Sequence, residues 1–446
     1  MNLPIITRHR TLGSGDEIKM SRDRTSRVSA CIIASTLLVG CVAVVAATLP
    51  PASLSAASAE APKLTRTVVM TGLQDPWDIA FTPDGVMLFT EKCRGVSARL
   101  ADGKTVRLFG TSGSAVVAPD LFCRGQSGVH GIAVDPDFAK GTRDIYVFMA
   151  SSLRKPGTNR VVRLTVNADY TRVGNRTDII EDIAYKDAAN GAGSAGAHSG
   201  GRVRFGPDRF LYVPTGDNHN ATLPQDLKRL GGKVLRVNRD GTAAPGNNTP
   251  AGGDPRIFTY GHRNVQGITF RPAGQPNAGQ PFTAEHGPNH SDEVTALIAG
   301  GNAGWDPQNR PGLRCPDNYC GYAGDPTTMP MTDSQRFPNA MPPSWVYNGS
   351  GRGMDSALFL DGKQWRGWNG RLLVSLMRGQ RIAVLQLDAR GMATNDSTVE
   401  LPSARTRTLV QGPDGNLYTA NDDGEIWRVV PTLSATAQTD TDVIGE

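Results

Sequence analysis

Apolar and polar positions alternate in short runs along most of this chain, and each run follows the same kind of turn. One unit recurs six times: a lead residue that is apolar or aromatic in all but the last copy, a Pro-Asp-Gly turn or a close relative of it, and then an alternating strand. The copies begin at Phe81, Val134, Phe205, Phe270, Leu358 and Gln411. Because proline fixes φ and glycine accepts a positive φ, each copy predicts a tight β-hairpin.

Six hairpin-centred units predict an all-β fold, a six-bladed β-propeller with four-stranded blades. Further alternating segments predict the outer strands of the blades, namely 160–166, 232–238, 381–387 and 425–430. The only helix that we expect is a short one near Gln225–Leu230.

Three insertions rich in Gly, Asn and Pro interrupt this pattern, at 183–198, 217–228 and 305–352. Long loops in a compact domain are usually functional or mobile, so we expect these to cover one face of the propeller.

Composition agrees with a turn-rich β-protein, since the 51 Gly and 30 Pro fall in short clusters. Lys and Arg number 47 against 42 Asp and Glu, which gives a net charge of +5. Several of the basic residues lie near the N-terminus, so the remainder is close to neutral. Nothing in this balance supports a nucleic-acid surface.

The first 59 residues are expected to be a tail and export signal, and residues 60–446 the propeller domain. A basic stretch, an apolar run and a small-residue stretch follow one another: Arg22, Arg24 and Arg27, then Val28 to Leu49, then Ala57 to Ala59. This order is typical of a cleaved signal peptide and predicts an extracytoplasmic protein, periplasmic or secreted. The run is long enough to act instead as a membrane anchor. Cys41 lies in a sequence resembling a lipobox, so a lipoprotein is a third alternative.

Four of the six cysteines lie beyond this segment. An even number in an exported chain suggests disulfides. Cys315–Cys320 closes a small loop, and Cys93–Cys123 joins neighbouring β-segments. Zinc binding is the weaker alternative, because no C-x-x-C pair occurs.

The stretch from Tyr260 to Asp306 carries the densest group of candidate functional residues. It contains Arg263 and Asn264 near its start, and Gly287-Pro288 and Asp292-Glu293 near its end. Arginine can bind a carboxylate with two parallel hydrogen bonds, and carbonyl and carboxylate oxygens are calcium ligands. The stretch therefore favours an anionic, metal-chelating ligand, although the same residue types also brace ordinary loops.

Three further polar stretches precede repeat units. Gln126 lies before the second, His198 is flanked by glycines before the third, and Arg405 and Arg407 lie before the sixth. The two arginines alternate and should face the same side of a strand, which is costly unless an anion or acidic neighbours lie there.

Six blocks in this order resemble the soluble, PQQ-dependent glucose/sorbosone (aldose sugar) dehydrogenase family. They are GQSGVHGIAVDPDF, HSGGRVRFGPD, GHRNVQGITF, EHGPNHSDEV, GGNAGW and ARTRTLVQGPDGNLY, and the resemblance extends from about Leu73 to Val430. The resemblance implies a six-bladed propeller, PQQ and calcium as cofactors, and a small-molecule sugar as substrate. It leaves the electron acceptor unknown and the oligomeric state open, a homodimer included.

The resemblance also implies a role for each matching residue. His198 matches a general base that takes a hydroxyl proton while hydride passes to the quinone. The positions that match the cofactor contacts are Gln126, Arg263, Asn264, Arg405 and Arg407. Gly287 and Pro288 match the calcium-binding turn, and Glu293 matches a ligand of a second, structural calcium.

Three positions depart from the family pattern. Met377 stands where a lysine is frequent, and Arg378 beside it should point away from the site if the segment is a regular strand. Ala197 precedes the base where an acidic residue is frequent, so the base lacks this orienting partner. Ala303 replaces a frequent tyrosine near the second calcium site.

Two other functions are compatible with the sequence. A lactonase-type propeller hydrolase could hold a metal with Asn218, Asn264 and Glu293. A non-catalytic extracytoplasmic propeller could instead bind a carbohydrate or protein partner, which the changes at Met377 and Ala197 favour.

Overall fold

The computed structural model describes residues 61–154, 157–187, 193–400 and 405–432. The expected export signal therefore lies outside the described residues. Within those ranges the regular structure is β-strand, with helix confined to five short 3-10 segments. None of them has the length and apolar composition needed to cross a membrane.

The strands of the first half of the chain form a closing strand and three sheets. The closing strand is β1 (Lys63–Met70). Blade 1 contains β2 (Pro76–Phe81), β3 (Met87–Glu91), β4 (Gly95–Arg99), β5 (Thr105–Gly110) and β6 (Val116–Val117). Blade 2 contains β7 (Val129–Val134), β8 (Asp144–Ser151), β9 (Thr158–Val166) and β10 (Val173–Ile183). Blade 3 contains β11 (Arg204–Phe205), β12 (Leu211–Pro214), β13 (Lys233–Val237) and β14 (Ile257–Tyr260).

The second half of the chain forms the other three sheets. Blade 4 contains β15 (Val265–Phe270), β16 (Pro281–Glu285), β17 (His290–Ala296) and β19 (Trp345–Ser350), and the intervening β18 (Gly301–Asn302) joins blade 3. Blade 5 contains β20 (Met354–Phe359), β21 (Leu372–Leu376), β22 (Arg381–Leu387) and β23 (Ala393–Glu400). Blade 6 contains β24 (Thr406–Gln411), β25 (Leu417–Asn421) and β26 (Ile426–Thr432).

The 3-10 segments are Phe138–Lys140, Leu223–Gln225, Pro316–Asn318, Lys363–Trp368 and Met377–Gly379. The short helix expected at 225–230 is therefore a single 3-10 turn that ends where the prediction began.

The prediction of a six-bladed propeller with four-stranded blades is confirmed. Each of the six repeat units is the antiparallel hairpin between the first and second strand of a blade. The first strands of adjacent sheets pack against one another. Each of the six spaces between adjacent blades holds its own cluster of buried apolar side chains, so burial between blades stabilises the ring.

The position predicted for four strands within their blades is wrong. The segments expected to be outer strands are β9, β13, β22 and β26, and each is the third strand from the channel. A further strand covers each of them, and in blade 6 that strand is β1 from the other end of the chain. The hydrogen bonds between β1 and β26 close the ring.

Both predicted disulfides are confirmed. Cys93–Cys123 joins the β3–β4 turn to the loop before β7, with 5.3 Å between the two Cα atoms. Cys315–Cys320 closes a loop within the 305–352 segment, with 5.2 Å between its Cα atoms.

A single guanidinium joins five of the six blades at the centre of the ring. Arg202, just before β11, is fully buried. It donates to Asp78 of blade 1 at 2.7 Å and to the Gln266 carbonyl of blade 4 at 2.9 Å. It also donates to the Asp355 carbonyl of blade 5 at 3.3 Å and the Arg407 carbonyl of blade 6 at 2.7 Å. Three of these partner residues, Gln266, Asp355 and Arg407, also line a cleft. Arg202 therefore lies directly beneath the floor of that cleft.

Candidate active site

A cleft of about 260 Å³ opens above this floor. The residues expected to be the base and the cofactor contacts all line it: Gln126, His198, Arg263, Asn264, Arg405 and Arg407. Gly287 and Pro288 line it as well, whereas Glu293 is not among its lining residues. Residues from four separate stretches of the sequence thus meet in one place.

The backbone around His198 presents its imidazole to the cleft. His198 has φ of 52°, a left-handed conformation that costs about 1 kcal/mol or more for a residue with a Cβ. Its carbonyl accepts a hydrogen bond of 2.9 Å from the Asn218 amide. Gly216 packs so closely that a Cβ there would lie 2.1 Å from the same carbonyl. The contact between these two loops therefore fixes the imidazole.

Asp217 holds the imidazole of His198 in one orientation. The His198 Nδ1–H donates to Asp217 Oδ1 at 2.7 Å, which leaves the Nε2 lone pair facing the cleft. The second oxygen of Asp217 accepts hydrogen bonds of 2.9 Å each from Trp305 Nε1 and the Tyr319 hydroxyl. Asp217 therefore supplies the acidic partner that Ala197 cannot. The carboxylate comes from the loop after β12.

Burial decides the protonation of this pair. Burial, together with the positive charges of Arg263 and Lys186, holds the pKa of His198 well below its usual range. Burial raises the pKa of Asp217 above its usual range, although the positive charge of Arg263 and the hydrogen bonds to the carboxylate oppose this shift. A neutral imidazole with a free lone pair is the form that can accept a proton.

Two residues absent from the sequence predictions contact the same imidazole. His219 Nε2 lies 2.9 Å from His198 Nε2, and the Tyr322 hydroxyl lies 3.0 Å from each of these nitrogens. Tyr322 comes from the 305–352 insertion, which places part of that loop over the base. A histidine two residues after Asp217 gives no periodic signal, and only the fold brings it to the site.

Arg263 brings a buried positive charge to the cleft. Its side chain is 1% exposed and donates from Nη1 to the His286 carbonyl at 2.9 Å. Its Nε has no hydrogen-bond partner among the described residues, and the same is true of His286 Nε2. Glu285 accepts from the backbone N–H groups of Arg263 and Asn264, which fixes the start of β15. A buried guanidinium with an unmet donor is costly unless an anion binds there.

Arg405 and Arg407 face the same side, as the alternation predicts, and share one acidic partner. Asp422 accepts from Arg405 Nε at 3.1 Å and from Arg407 Nη2 at 3.0 Å. Arg407 also donates to Asp355 at 3.2 Å. Burial lowers the pKa of Arg407, but Asp355 and Asp422 outweigh it and keep this pKa above its usual range. These acidic neighbours hold both guanidinium groups at the cleft.

The Gly287-Pro288 turn is tied to the neighbouring loop by Asp292. The carboxylate of Asp292 accepts from the Gly287 N–H at 2.8 Å and from the Gly353 N–H at 2.7 Å. Burial raises the pKa of Asp292 despite these donors. Asp292 therefore fixes the backbone of this turn against the residue before β20. Among the residues with defined positions, no group of three or more His, Cys, Asp or Glu side chains could hold a metal.

Glu293 lies apart from the cleft, because adjacent residues of a strand face opposite sides. Its carboxyl accepts a hydrogen bond of 2.8 Å from the Thr332 hydroxyl. Burial raises the pKa of Glu293 to about 8. Its role as a ligand of a second calcium stays a prediction.

The condition under which Arg378 is expected to point away from the site, a regular strand, is not met. β21 ends at Leu376, and Met377–Gly379 form a 3-10 turn instead of continuing the strand. Met377 and Arg378 consequently both line the cleft. No carboxylate of the described chain lies within ion-pair distance of the Arg378 guanidinium, whereas Met377 Sδ accepts from Arg405 at 3.3 Å. The turn thus adds the Arg378 guanidinium to the cleft, with no ion pair to a carboxylate among the described residues.

Comparison with known proteins agrees with this geometry. The family model for glucose/sorbosone dehydrogenases matches residues 73–428, which includes strands of all six blades. The chain belongs to the glucose/sorbosone dehydrogenase family.

Named members of this family are distant relatives of the chain. Quinoprotein glucose dehydrogenase B from Acinetobacter calcoaceticus is 27% identical over 437 residues, covering 82% of this chain and 87% of the relative. Aldose sugar dehydrogenase YliI from Escherichia coli K12 is 25% identical over 388 residues, covering 86% and 97%. The PQQ-bound aldose sugar dehydrogenase from Streptomyces coelicolor is 26% identical with a TM-score of 0.61, covering 83% and 99%. These matches extend over nearly the whole of each relative.

Proposed function

We propose that this protein oxidises the CH–OH group of an aldose sugar or a related polyol, using PQQ held together with calcium. One observation carries the proposal: the His198–Asp217 pair faces a cleft in which the buried Arg263 has an unmet donor. A proton acceptor beside a site for an anion is the arrangement that this reaction requires.

The residues present fit the cofactor. PQQ carries three carboxylates, and Arg263, Arg405 and Arg407 offer guanidinium groups to bind them. Gln126 and Asn264 supply amide groups at the same cleft. The carbonyl oxygens of Gly287 and Pro288 offer the hard oxygen ligands that calcium prefers. When bound, the quinone supplies the hydride acceptor, and calcium polarises it.

The protein's own contribution is proton abstraction. His198 is 6% exposed and neutral, and its Nε2 accepts the proton of the substrate hydroxyl. The imidazolium that results is stabilised by the 2.7 Å hydrogen bond from its Nδ1 to Asp217. Trp305 and Tyr319 donate to the Asp217 carboxylate and hold it in place beside the imidazolium charge.

The lactonase alternative finds less support in the contacts. Of its three candidate ligands only Asn264 lines the cleft, whereas Asn218 and Glu293 are not among its lining residues. The non-catalytic alternative predicts no stoichiometric binding of PQQ, so cofactor titration separates it from the proposal.

Titration of calcium-loaded protein with PQQ, followed by addition of an aldose and an artificial electron acceptor, tests the proposal. We expect saturable binding and reduction of the acceptor dye. His198→Ala should keep the cofactor and lose turnover, whereas Arg407→Ala should weaken cofactor binding. Arg390→Ala, which removes a guanidinium from the surface, is the matched control and should change neither property. Full turnover in the His198 variant would contradict the mechanism.

We propose an extracytoplasmic location as well, periplasmic or secreted. The two disulfides support it, because such bonds persist in oxidising compartments. Fractionation of cells that express the full chain, with detection of the protein in each compartment, tests this location.

A further inference from the structure

One arginine at the mouth of the cleft has no partner within the described chain. Arg378 is exposed and lines the cleft, and no hydrogen bond or ion pair joins its guanidinium to another described residue. The other three arginines of the cleft all donate to protein oxygens: Arg263 to a backbone carbonyl, and Arg405 and Arg407 to a carboxylate. All the side-chain donors of Arg378 therefore remain available to a bound molecule.

The 3-10 turn Met377–Gly379 directs its two long side chains to different places. Met377 is 6% exposed, and its Sδ accepts from Arg405 at 3.3 Å. The Arg378 N–H donates to the Arg352 carbonyl at 2.7 Å, which binds the turn to the loop before β20. The backbone thus places the Arg378 side chain at the cleft, whatever that side chain binds.

The carboxylate of the neighbouring loop does not neutralise this charge. Asp292 accepts from the backbone N–H groups of Gly287 at 2.8 Å, Arg352 at 2.5 Å and Gly353 at 2.7 Å. Both of its oxygens are therefore occupied by backbone donors. Water solvates an exposed guanidinium at little cost, and the positive charge of Arg378 attracts an anion that enters the cleft.

The number of arginines exceeds what the cofactor needs. PQQ carries three carboxylates, and the proposed cofactor contacts include Arg263, Arg405 and Arg407. Arg378 is a fourth guanidinium in the same cleft. An exposed side chain that lines a cleft lies where the cleft opens to solvent, which is the side from which a substrate enters. The substrate is therefore the anion that remains for Arg378.

Arg378 and the proposed base act on one and the same side chain of the cleft. Burial, followed by the charge of Arg263 and other neighbours, holds the pKa of His286 well below its usual range. Those neighbours include both His198 and Arg378. A substrate whose hydroxyl lies at His198 can thus extend towards Arg378 across the same cleft.

We propose that the substrate is an acidic sugar, a uronic acid, and that Arg378 binds its carboxylate through two parallel hydrogen bonds. This inference rests on the proposed function. In a uronic acid the anomeric carbon and the carboxylate lie at opposite ends of the carbon chain. One molecule can therefore present its anomeric hydroxyl to His198 and its carboxylate to Arg378. The carboxylate takes no part in the oxidation, so Arg378 determines specificity and is not a catalytic residue.

Steady-state kinetics with D-glucuronate and D-glucose test this inference in the protein loaded with calcium and PQQ. The two sugars differ only in the carboxylate that replaces the hydroxymethyl group of glucose. We expect a KM about tenfold lower for glucuronate, and Arg378→Gln should abolish this preference, as expected for loss of a bidentate ion pair open to solvent. Arg378→Lys keeps the charge but not the planar fork and should retain part of the preference. Equal KM values for the two sugars in the wild type would overturn the proposal, as would an unchanged preference in Arg378→Gln.

Arg352 offers a matched control on the same side of the cleft. Its guanidinium is also exposed, but its Nε donates to the Tyr347 hydroxyl at 3.2 Å and the residue does not line the cleft. Arg352→Gln removes an equal charge without removing a cleft contact, so the preference for glucuronate should persist. A loss as large as that in Arg378→Gln would show that the overall positive potential selects the acid, and would overturn the role of Arg378.

Two binding measurements separate this inference from the proposed function. Calorimetric titration with methyl glucuronoside, whose anomeric hydroxyl is blocked, should show binding to the PQQ-loaded protein that Arg378→Gln weakens about tenfold. PQQ itself should bind Arg378→Gln as tightly as the wild type, and weaker binding would assign Arg378 to the cofactor and overturn the proposal. If the glucuronoside binds through Arg378 but no sugar reduces the dye, the proposed function fails while the acidic-sugar site stands. If glucose reduces the dye and glucuronate is not preferred, this inference fails while the proposed function stands.

Discussion

Replacing Asp217 with asparagine is the most informative single perturbation of the site. The carboxylate accepts four hydrogen bonds, from the His198 ring, the His219 N–H, the Trp305 indole and the Tyr319 hydroxyl. Asparagine has one oxygen, which can serve only one side of this arrangement. If its oxygen faces the indole, its amide opposes the His198 Nδ1–H. If its oxygen faces His198, its amide opposes the indole N–H, which cannot act as an acceptor.

The size of the effect follows from the bonds lost. A hydrogen bond to a charged group contributes about 1.5–3 kcal/mol, which corresponds to roughly a 10- to 100-fold loss of turnover if the imidazolium loses its carboxylate. One buried donor left without a partner should also lower the free energy of unfolding by about 1–3 kcal/mol. Loss of the negative charge should lower the pKa of His198 further, so the acid limb of the pH–rate profile should move to lower pH.

Dye-coupled turnover across pH, PQQ titration and urea denaturation together measure these effects. Asp135→Asn is a matched control, because Asp135 is an equally buried carboxylate that accepts from Tyr146 and Arg239 far from the cleft. It should lose similar stability and keep its turnover. Turnover of Asp217→Asn within twofold of the wild type, with cofactor bound, would refute the assignment of Asp217 as the partner of the base.

Three further predictions concern stability and metal dependence. Burial raises the pKa of Asp78, but Arg204 and Arg202 outweigh it and lower this pKa to about 2. The shift contributes about 2 kcal/mol of stability above pH 3.8, and this contribution is lost as pH falls towards 2. In Asp78→Asn the urea midpoint should therefore change less with pH across this range. Replacing Cys93 and Cys123 with serine frees a loop with a sequence separation of 30 residues. It should reduce the free energy of unfolding by about 3–4 kcal/mol in denaturant titrations, and an unchanged midpoint would contradict this. Chelation of calcium should abolish PQQ binding in the titration, and calcium but not magnesium should restore it, because magnesium demands a more rigid coordination geometry.

The architecture could be predicted from sequence because its signals are local. Each Pro-Asp-Gly turn specifies its own hairpin, and the number of hairpins gives the number of blades. Which strand lies outermost is not a local property. The third strands look like outer strands in sequence, and only the path of the chain places another strand beyond them. In blade 6 that outer strand comes from the opposite end of the chain.

The residues of the candidate site likewise divide into those that local sequence motifs reveal and those that only the fold brings together. Residues within continuous motifs, such as Arg263 and Asn264, could be placed from sequence. Asp217 could not, because its contact with His198 depends on two loops that pack through Gly216. The position of Arg378 depends on a 3-10 turn that ends at Gln380 in a left-handed conformation, and the alternation of a strand cannot reveal this.

The pairing of β1 with β26 imposes an order on the assembly of the propeller during synthesis of the chain. Strand β1 precedes all the other described strands in the chain and its partner β26 is the last of them, and the hydroxyl of Thr432 bonds to the carbonyl of Lys63 across a separation of 369 residues. Earlier blades can assemble one after another from neighbouring residues, but blade 6 cannot be completed on a nascent chain that lacks β26. Until then β1 remains an unpaired edge with free backbone groups. Completion of the ring therefore waits until β26 has been synthesised, and a chain that stops short of β26 lacks the strand that pairs with β1.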